Sequence, residues 1–589
     1  MRQAELVTDT RAPAIVSLER LRASLADAGL ELPLDGAAEH RETAQAAVRQ
    51  IDDYIRPRLA DLDAPLLAVV GGSTGSGKST IVNALVGTPL TRVGVIRPTT
   101  RQPILVHAPV DAGWFASDRI LPGLARVRGT LSTPGTPASV AGDSPAASRI
   151  HELMLLAHDA VPSSLAIIDA PDIDSVAEDN RALAAQLLAA ADLWVFVTTA
   201  NRYADAVPWK LLDGAASRSI TVAVILNRVP PGAAGEVLPD LTAMLKKRNL
   251  ADAPVFVIEE QPLDELGMLP ASAVAAPKNW LEAIAGDRAE RTRVAARTLG
   301  GAIEDLDRRV GTIADARQAQ LDWIASVDAM AAADYQAAED AVDEATRDGA
   351  LLRGEVLARW QDFVGTTDFF RKVESWFSRT RDSVTAWVMG KPSPVIDVET
   401  QIESGLHAVI VDEGGRAAAA TWAGLQRTAA GRTVAEKHPE LAAQSATFTD
   451  DAAAMIREWQ GALMQLVRDN AGNKRIKARV LSAGLNVITV ALMIVVFAST
   501  GGLTGGELLI AGGSAVLGQK LLETIFGEDA VRRLAAEARR DLQERVQGVF
   551  DAERARVTAA LETLRFGSAP ESLRRESRAL LDDVRAAAS

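Results

Sequence analysis

The chain has 589 residues, a formal net charge of −14, 48% hydrophobic and 24% charged residues, and no cysteine. That length exceeds a single hydrophobic core and implies roughly three to five folding units. The lack of cysteine excludes disulfides, thiolate metal sites and cysteine nucleophiles and fits a reducing cytoplasm, while the acidic balance argues against a nucleic-acid partner, which needs clustered Lys and Arg.

Residues Met1 to Pro13 carry Arg2, Glu5, Asp9 and Arg11 without an apolar run, so no secretory signal is expected. Over residues 14–63, Ile15, Leu18, Leu21 and Leu25, then Ala47, Ile51, Tyr54, Ile55 and Leu59 recur mostly at three- and four-residue steps. This periodicity predicts N-terminal helices over 1–63. From Pro65 the pattern changes to short apolar runs: Leu66–Val70, Ile104–Val106, Leu165–Ile168, Leu193–Val197, Val222–Leu226 and Val255–Ile258. Each has strand length, most are β-branched, and helical stretches separate most of them. Strands buried on both faces have this composition, which predicts an α/β domain with a mainly parallel sheet over 64–271. Ser132–Ser148, dense in Pro, Gly, Ser and Ala, reads as an exposed loop.

The segment Gly72-Ser73-Thr74-Gly75-Ser76-Gly77-Lys78-Ser79 matches G-x-x-x-x-G-K-[ST] in full, directly after one predicted strand and opening a predicted helix, Ser79–Val86. In such a P-loop the glycines let successive backbone N–H groups turn inward around phosphates, and the helix N-terminus adds a favourable dipole. Lys78 is expected to place a point charge on the β- and γ-phosphates, and the Ser79 hydroxyl to coordinate Mg²⁺, with the nucleotide lying across Gly72–Thr80. A second acid for Mg²⁺ belongs at the end of a neighbouring strand, and Asp169, closing Leu165–Ile168, fills that place. Thr198-Thr-Ala-Asn-Arg202-Tyr-Ala-Asp205 follows the strand Leu193–Val197, on the strand-end side where ligands gather. It reads either as a contact to nucleotide or to a second domain of the same kind, or as a plain helix cap.

Beyond about Ala271 the strand signal ends. Residues 272–470 and 531–589 have helical patterning and predict an elongated all-α bundle joined to the α/β domain. Between them, 471–530 forms an apolar helical hairpin. Val480–Gly506 has no charged residue, and Val480–Thr500 as one helix would reach about 31 Å, the thickness of a bilayer's hydrocarbon core. Lys474, Arg475, Lys477 and Arg479 precede it; a second apolar stretch, Leu508–Leu517, continues more weakly through Gln519 and Lys520 to Phe526, with Arg532 and Arg533 after it. The expectation is a membrane-inserted hairpin contacting lipid through 480–526, with both chain ends cytoplasmic; the alternative is a hairpin buried in the bundle. The six histidines show no metal-ligand spacing, and the aromatics from Trp360 to Trp387 read as helical core.

Together with the P-loop, Arg97-Pro-Thr99-Thr100-Arg-Gln-Pro103, Asp169-Ala-Pro-Asp172 and Ile225-Leu-Asn227-Arg228 resemble the motifs of dynamin-like large GTPases in their bacterial form, and the helical flanks and late apolar hairpin match that layout. The resemblance implies GTP binding and hydrolysis with Mg²⁺. It also implies a switch threonine at Thr100 (Thr99 is the neighbour) joining Ser79 and Asp169 at the metal, and a base contact by Asn227 and Arg228. It implies a membrane paddle at the cytoplasmic face of the cell membrane, and homodimerisation through the nucleotide-binding domains is compatible with it. Three departures stand out. Asp172 occupies the glycine position of Asp-x-x-Gly, Asn227-Arg228-Val229-Pro230 lacks the aspartate that reads guanine, and Thr74-Gly75 replaces Gln-Ser, from which slow turnover is expected. The alternatives left open are a P-loop ATPase without strict guanine specificity and a non-hydrolysing, nucleotide-switched scaffold.

Overall fold

The structure is a computed structural model that describes residues 2–90, 102–129, 151–174, 178–347, 394–472, 474–498 and 512–588. Two compact units emerge, one formed by 1–30, 36–318 and 567–589, the other by 31–35 and 319–566.

In the first unit, α1 (Arg2–Ala26) and α2 (Ala37–Gln50) are followed by a π-helical turn, Ile51–Ile55, and by α3 (Arg56–Ala60). The π turn falls just ahead of Pro57, which lacks the N–H that would continue the α ladder. The α/β layer then runs β1 (Leu66–Gly72), α4 (Lys78–Val86), β2 (Ile104–His107), α5 (Ala112–Phe115), β3 (Ala125–Arg128), β4 (Glu152–Ala157), β5 (Leu165–Asp169), α6 (Glu178–Ala189), β6 (Leu193–Thr199), α7 (Ala206–Ser217), β7 (Thr221–Val229), α8 (Ala234–Lys247), β8 (Val255–Glu259) and α9 (Ala275–Gly286).

Among the described residues the sheet has eight strands in the order β3-β4-β2-β5-β1-β6-β7-β8. Every pairing is parallel except β2 with β5. Alternation along β1 explains why this sheet is covered on both faces. Leu67 and Val69 join a core with Leu183 and Leu187 of α6, Trp209 of α7 and Leu241 of α8, whereas Leu66, Ala68 and Val70 join a second core with Ile81 and Leu85 of α4 and Leu281 of α9. The two strands that the sequence did not announce have physical reasons for their silence. β3, Ala-Arg-Val-Arg, is a short edge strand carrying two charges. β4 is Leu- and Met-rich without a β-branched residue.

A helical layer completes the first unit. Leu18, Leu21 and Leu25 of α1 pack with Ala47, Ile51, Ile55, with Ile303, Leu306 and Val310 of α10 (Arg288–Arg347), and with Leu573 and Leu580 near the C-terminus. Buried Asp192, just before β6, ties helices to sheet: its carboxylate accepts from Tyr54 Oη at 3.0 Å, from the Leu67 amide at 2.8 Å and from Arg58 at 2.5 Å.

The second unit takes the later part of α10 and then α11 (Pro394–Leu425), α12 (Ala429–Lys437), α13 (Phe448–Asn470), α14 (Lys474–Ala483), α15 (Leu485–Ala498), α16 (Gly512–Phe526) and α17 (Glu528–Arg565). The last helix, α18 (Pro570–Ala588), returns to the first unit.

The expected bilayer-length helix is not formed. Gly484, in the left-handed region at φ +86°, separates α14 from α15. The 14 described residues of α15 reach about 21 Å, against the roughly 30 Å of a hydrocarbon core. Among the described residues no helix is long and apolar enough to cross a membrane, which corrects the transmembrane reading of 480–526. A helix that is apolar all round needs either lipid or protein cover, and here protein supplies it. Ile488 through Phe497 are all 8% exposed or less and share one core with Trp459, Leu463, Leu521, Leu534 and Ala538. Phe497 packs on Trp459 at 5.6 Å between ring centres, and Arg539 donates to the Val496 carbonyl at 2.5 Å. The proposed turn glycines Gly501–Gly506, the loop Ser132–Ser148 and the aromatics Trp360–Trp387 lie outside the described residues.

Candidate nucleotide-binding site

β1, β5, β6 and β7 are parallel neighbours, so their C-terminal residues gather along one sheet edge, where open α/β sheets bind ligands. Gly72 ends β1, Asp169 ends β5, Thr199 ends β6, and Asn227 lies near the end of β7. The loop after Gly72 turns directly into α4, whose first-turn amides are available to an anion.

Two glycines are required by close approach. A Cβ on Gly72 would stand 2.0 Å from the Val197 carbonyl oxygen of β6. On Gly77, which has φ +92°, a Cβ would stand 2.5 Å from Asn227 Nδ2. Asn227 is there because its amide donates to the Ser76 carbonyl at 2.8 Å, pinning the loop from β7. Gly75 is also left-handed, at φ +75°.

The side chains divide into two groups. In the first, buried Lys78 donates from Nζ to the Gly72 carbonyl at 3.0 Å and the Ser73 carbonyl at 3.1 Å, and it pairs with the Asp172 carboxylate. Ser79 Oγ donates to Asp169 Oδ2 at 2.7 Å. Asp169 is fully buried, and burial pushes its carboxyl up to about 6, against the opposing pull of the Ser79 hydroxyl and Lys78. Its other oxygen, Oδ1, has no hydrogen-bond partner among the described residues.

The second group was not paired by sequence reasoning. Thr74 donates its amide at 2.6 Å and its hydroxyl at 2.7 Å to Asp174 Oδ1. Arg202 donates to Asp174 Oδ2 at 2.6 Å, to the Thr74 carbonyl at 2.8 Å and to Asp205 at 2.9 Å. Burial raises the Asp174 carboxyl, but the Thr74 hydrogen bonds and Arg202 outweigh it and hold it below its ordinary value. Of the Thr198–Asp205 motif, Arg202 therefore braces the P-loop. Asp205 precedes α7 without a side-chain capping bond.

Thr80 is buried in α4, and the Ser73 and Ser76 hydroxyls are buried without partners among the described residues. Arg228 is exposed with φ +53°, beside a register shift in the β7–β8 pairing. Thr99 and Thr100, within the segment Arg97–Arg101, lie outside the described residues.

The donor set of a serine hydroxyl and a buried carboxylate with an unpartnered oxygen suits Mg²⁺, a hard cation that takes few protein oxygens and keeps waters. No group of three or more His, Cys, Asp or Glu placed to hold a metal ion occurs among the described residues.

Residues 67–228, from the second residue of β1 to Arg228 in β7, match the model of the dynamin family. Over this stretch the chain is similar to the dynamin family. The P-loop, Asp169 and Asn227 all fall inside the matched stretch, as do Arg202 and Asp174, which brace the P-loop. No curated protein matches the sequence. Among solved structures the chain is similar to two chains described as an oligomerised bacterial dynamin pair that provides a mechanism for long-range sensing and tethering of membranes. One has TM-score 0.37 and 9% identity, covering 91% of each chain; the other has TM-score 0.35 and 9% identity, covering 97% of this chain and 95% of that one. A bacterial dynamin GTPase, LeoA from ETEC, gives TM-score 0.22 and 12% identity over 94% of this chain and 99% of that one. Superpositions this loose carry no weight beside the family match.

Proposed function

We propose that this chain binds and hydrolyses GTP at the P-loop and couples the reaction to rearrangement of its helical unit, in the manner of dynamin-like proteins. The observation that carries the reading is the convergence of Lys78, Ser79 and Asp169 at the strand-end edge of a domain similar to the dynamin family. The P-loop amides and Lys78 take the phosphates, and Asn227 holds the loop closed against β7 while its amide oxygen remains an acceptor for the base. Ser79 and Asp169, with Thr100 from the switch segment, would hold Mg²⁺, whose chemistry is to neutralise charge on the β- and γ-phosphates. Phosphoryl transfer asks mainly for such positioning and charge, so no separate acid–base pair is needed.

The reading extends to self-association through the nucleotide-binding domains and to action at the cytoplasmic face of a membrane, with lipid contact through 480–526. The lipid contact requires α15 to leave its protein core, exposing Ile488–Phe497. Flotation with anionic vesicles tests this: floating only with a non-hydrolysable GTP analogue supports it, and no flotation in any nucleotide state removes the membrane part.

Phosphate release from GTP and from ATP, each with Mg²⁺, tests the activity. Faster turnover of GTP supports the reading. Equal or faster turnover of ATP would make the chain a P-loop ATPase, with the missing aspartate after Asn227 as the cause, and binding without turnover would leave a nucleotide-switched scaffold.

A further inference from the structure

The geometry points to Asp172 as the residue that sets the preference between nucleoside triphosphate and diphosphate at this P-loop, its carboxylate competing with the γ-phosphate for the Lys78 ammonium. The inference deepens the nucleotide-binding reading and rests on it.

An ammonium has three N–H donors. Lys78 directs them to the Gly72 carbonyl, the Ser73 carbonyl and Asp172 Oδ1. The two carbonyls belong to the P-loop itself and move with it. Asp172 does not: it belongs to the segment after β5, and its side chain is 25% exposed whereas that of Lys78 is 6% exposed. A phosphate oxygen therefore gains a full share of Lys78 by replacing the carboxylate rather than either carbonyl.

A diphosphate and a triphosphate differ in what that replacement costs. Lys78 serves both the β- and γ-positions. With a diphosphate, the ammonium can meet the β-phosphate and keep Asp172 on its far side, where the carboxylate occupies the place of a third phosphate. With a triphosphate, the γ-phosphate takes that place and meets a carboxylate of like charge. Asp172 has little room to withdraw, because the backbone on both sides is anchored. The Ala170 amide donates to Val70 at 3.2 Å, the Ile173 amide to Gly72 at 3.4 Å, and Asp174 is held by Thr74 and Arg202. Pro171, between Ala170 and Asp172, has its φ fixed by its ring. Only the Asp172 side chain is left to rotate, so its charge stays close to the γ-position.

The experiment displaces N-methylanthraniloyl-GDP from the full-length chain with GDP and with GTPγS in the presence of Mg²⁺, for the wild type, Asp172→Asn, Asp172→Gly and Lys78→Ala. Asparagine keeps the size and removes the charge, and glycine removes the side chain. The triphosphate-to-diphosphate affinity ratio is expected to rise about tenfold in both Asp172 variants. An unchanged ratio in variants that still bind GDP overturns the inference alone. A falling ratio overturns it too and makes Asp172 a ligand of the triphosphate or its metal. Absence of any Lys78-dependent binding in the wild type overturns the nucleotide reading itself.

Discussion

Thr74 gives both its amide and its hydroxyl to one oxygen of Asp174, and Arg202 grips the other oxygen while reaching back to the Thr74 carbonyl. This brace ties the middle of the P-loop to the segments after β5 and β6. Because the Arg202 side chain is 38% exposed, the ion pair adds little to global stability, of the order of 1 kcal/mol or less. Its effect belongs to the loop. Arg202→Ala is expected to leave the melting temperature within a few degrees of wild type while weakening GTP binding about tenfold, measured by titration with a fluorescent analogue. Unaltered affinity would show that the brace does not shape the binding conformation. The P-loop and Asp169 were legible in the sequence because the first is contiguous and the second follows an apolar strand. The brace was not, since Thr74 and Arg202 are 128 positions apart and no local pattern pairs them. Asp172 was visible as a departure from Asp-x-x-Gly, but its grip on Lys78 needed coordinates.

At the scale of elements, α15 shows how one composition fits two solvents. Ten consecutive residues, Ile488 to Phe497, are apolar or bear a hydroxyl bonded within the helix, as Thr489 does to the Leu485 carbonyl at 3.0 Å. Such a helix satisfies its own backbone and asks only for an apolar surrounding. In the sequence, length favoured lipid, because Val480–Thr500 has no charge to interrupt it; Gly484 interrupts it through backbone conformation instead. The described core makes a sharp prediction. Val490→Asp, at 0% exposure, would bury an unpaired carboxyl and destabilise the second unit by about 3–5 kcal/mol, read from denaturant unfolding. Leu481→Asp, at 83% exposure, is expected to change stability by about 0.5 kcal/mol or less. Equal tolerance at both positions would contradict the burial of α15. The six announced strands were legible through continuous apolar runs. β3 and β4 escaped because one is a charged edge and the other lacks β-branched residues.

At the scale of the whole molecule, the chain divides the work. The first unit builds the sheet edge that carries the site, and the second is a helical unit organised around α15. Chain order does not follow this division: α10 contributes to both units, and α18 returns to the first after the second is complete. Helical periodicity announced the helices but not their partners, since an amphipathic stripe shows that a face is covered and not by what. GTP hydrolysis at this P-loop is the proposal on which the other functional readings depend. Phosphate release from Mg²⁺-bound GTP by the wild type and by Lys78→Ala tests it most directly. Turnover in the wild type and a loss on the order of 100-fold or more in the variant are expected, since in the proposed reading Lys78 supplies the charge at the phosphates. Equal turnover in the two proteins would mean that Lys78 takes no part in the reaction.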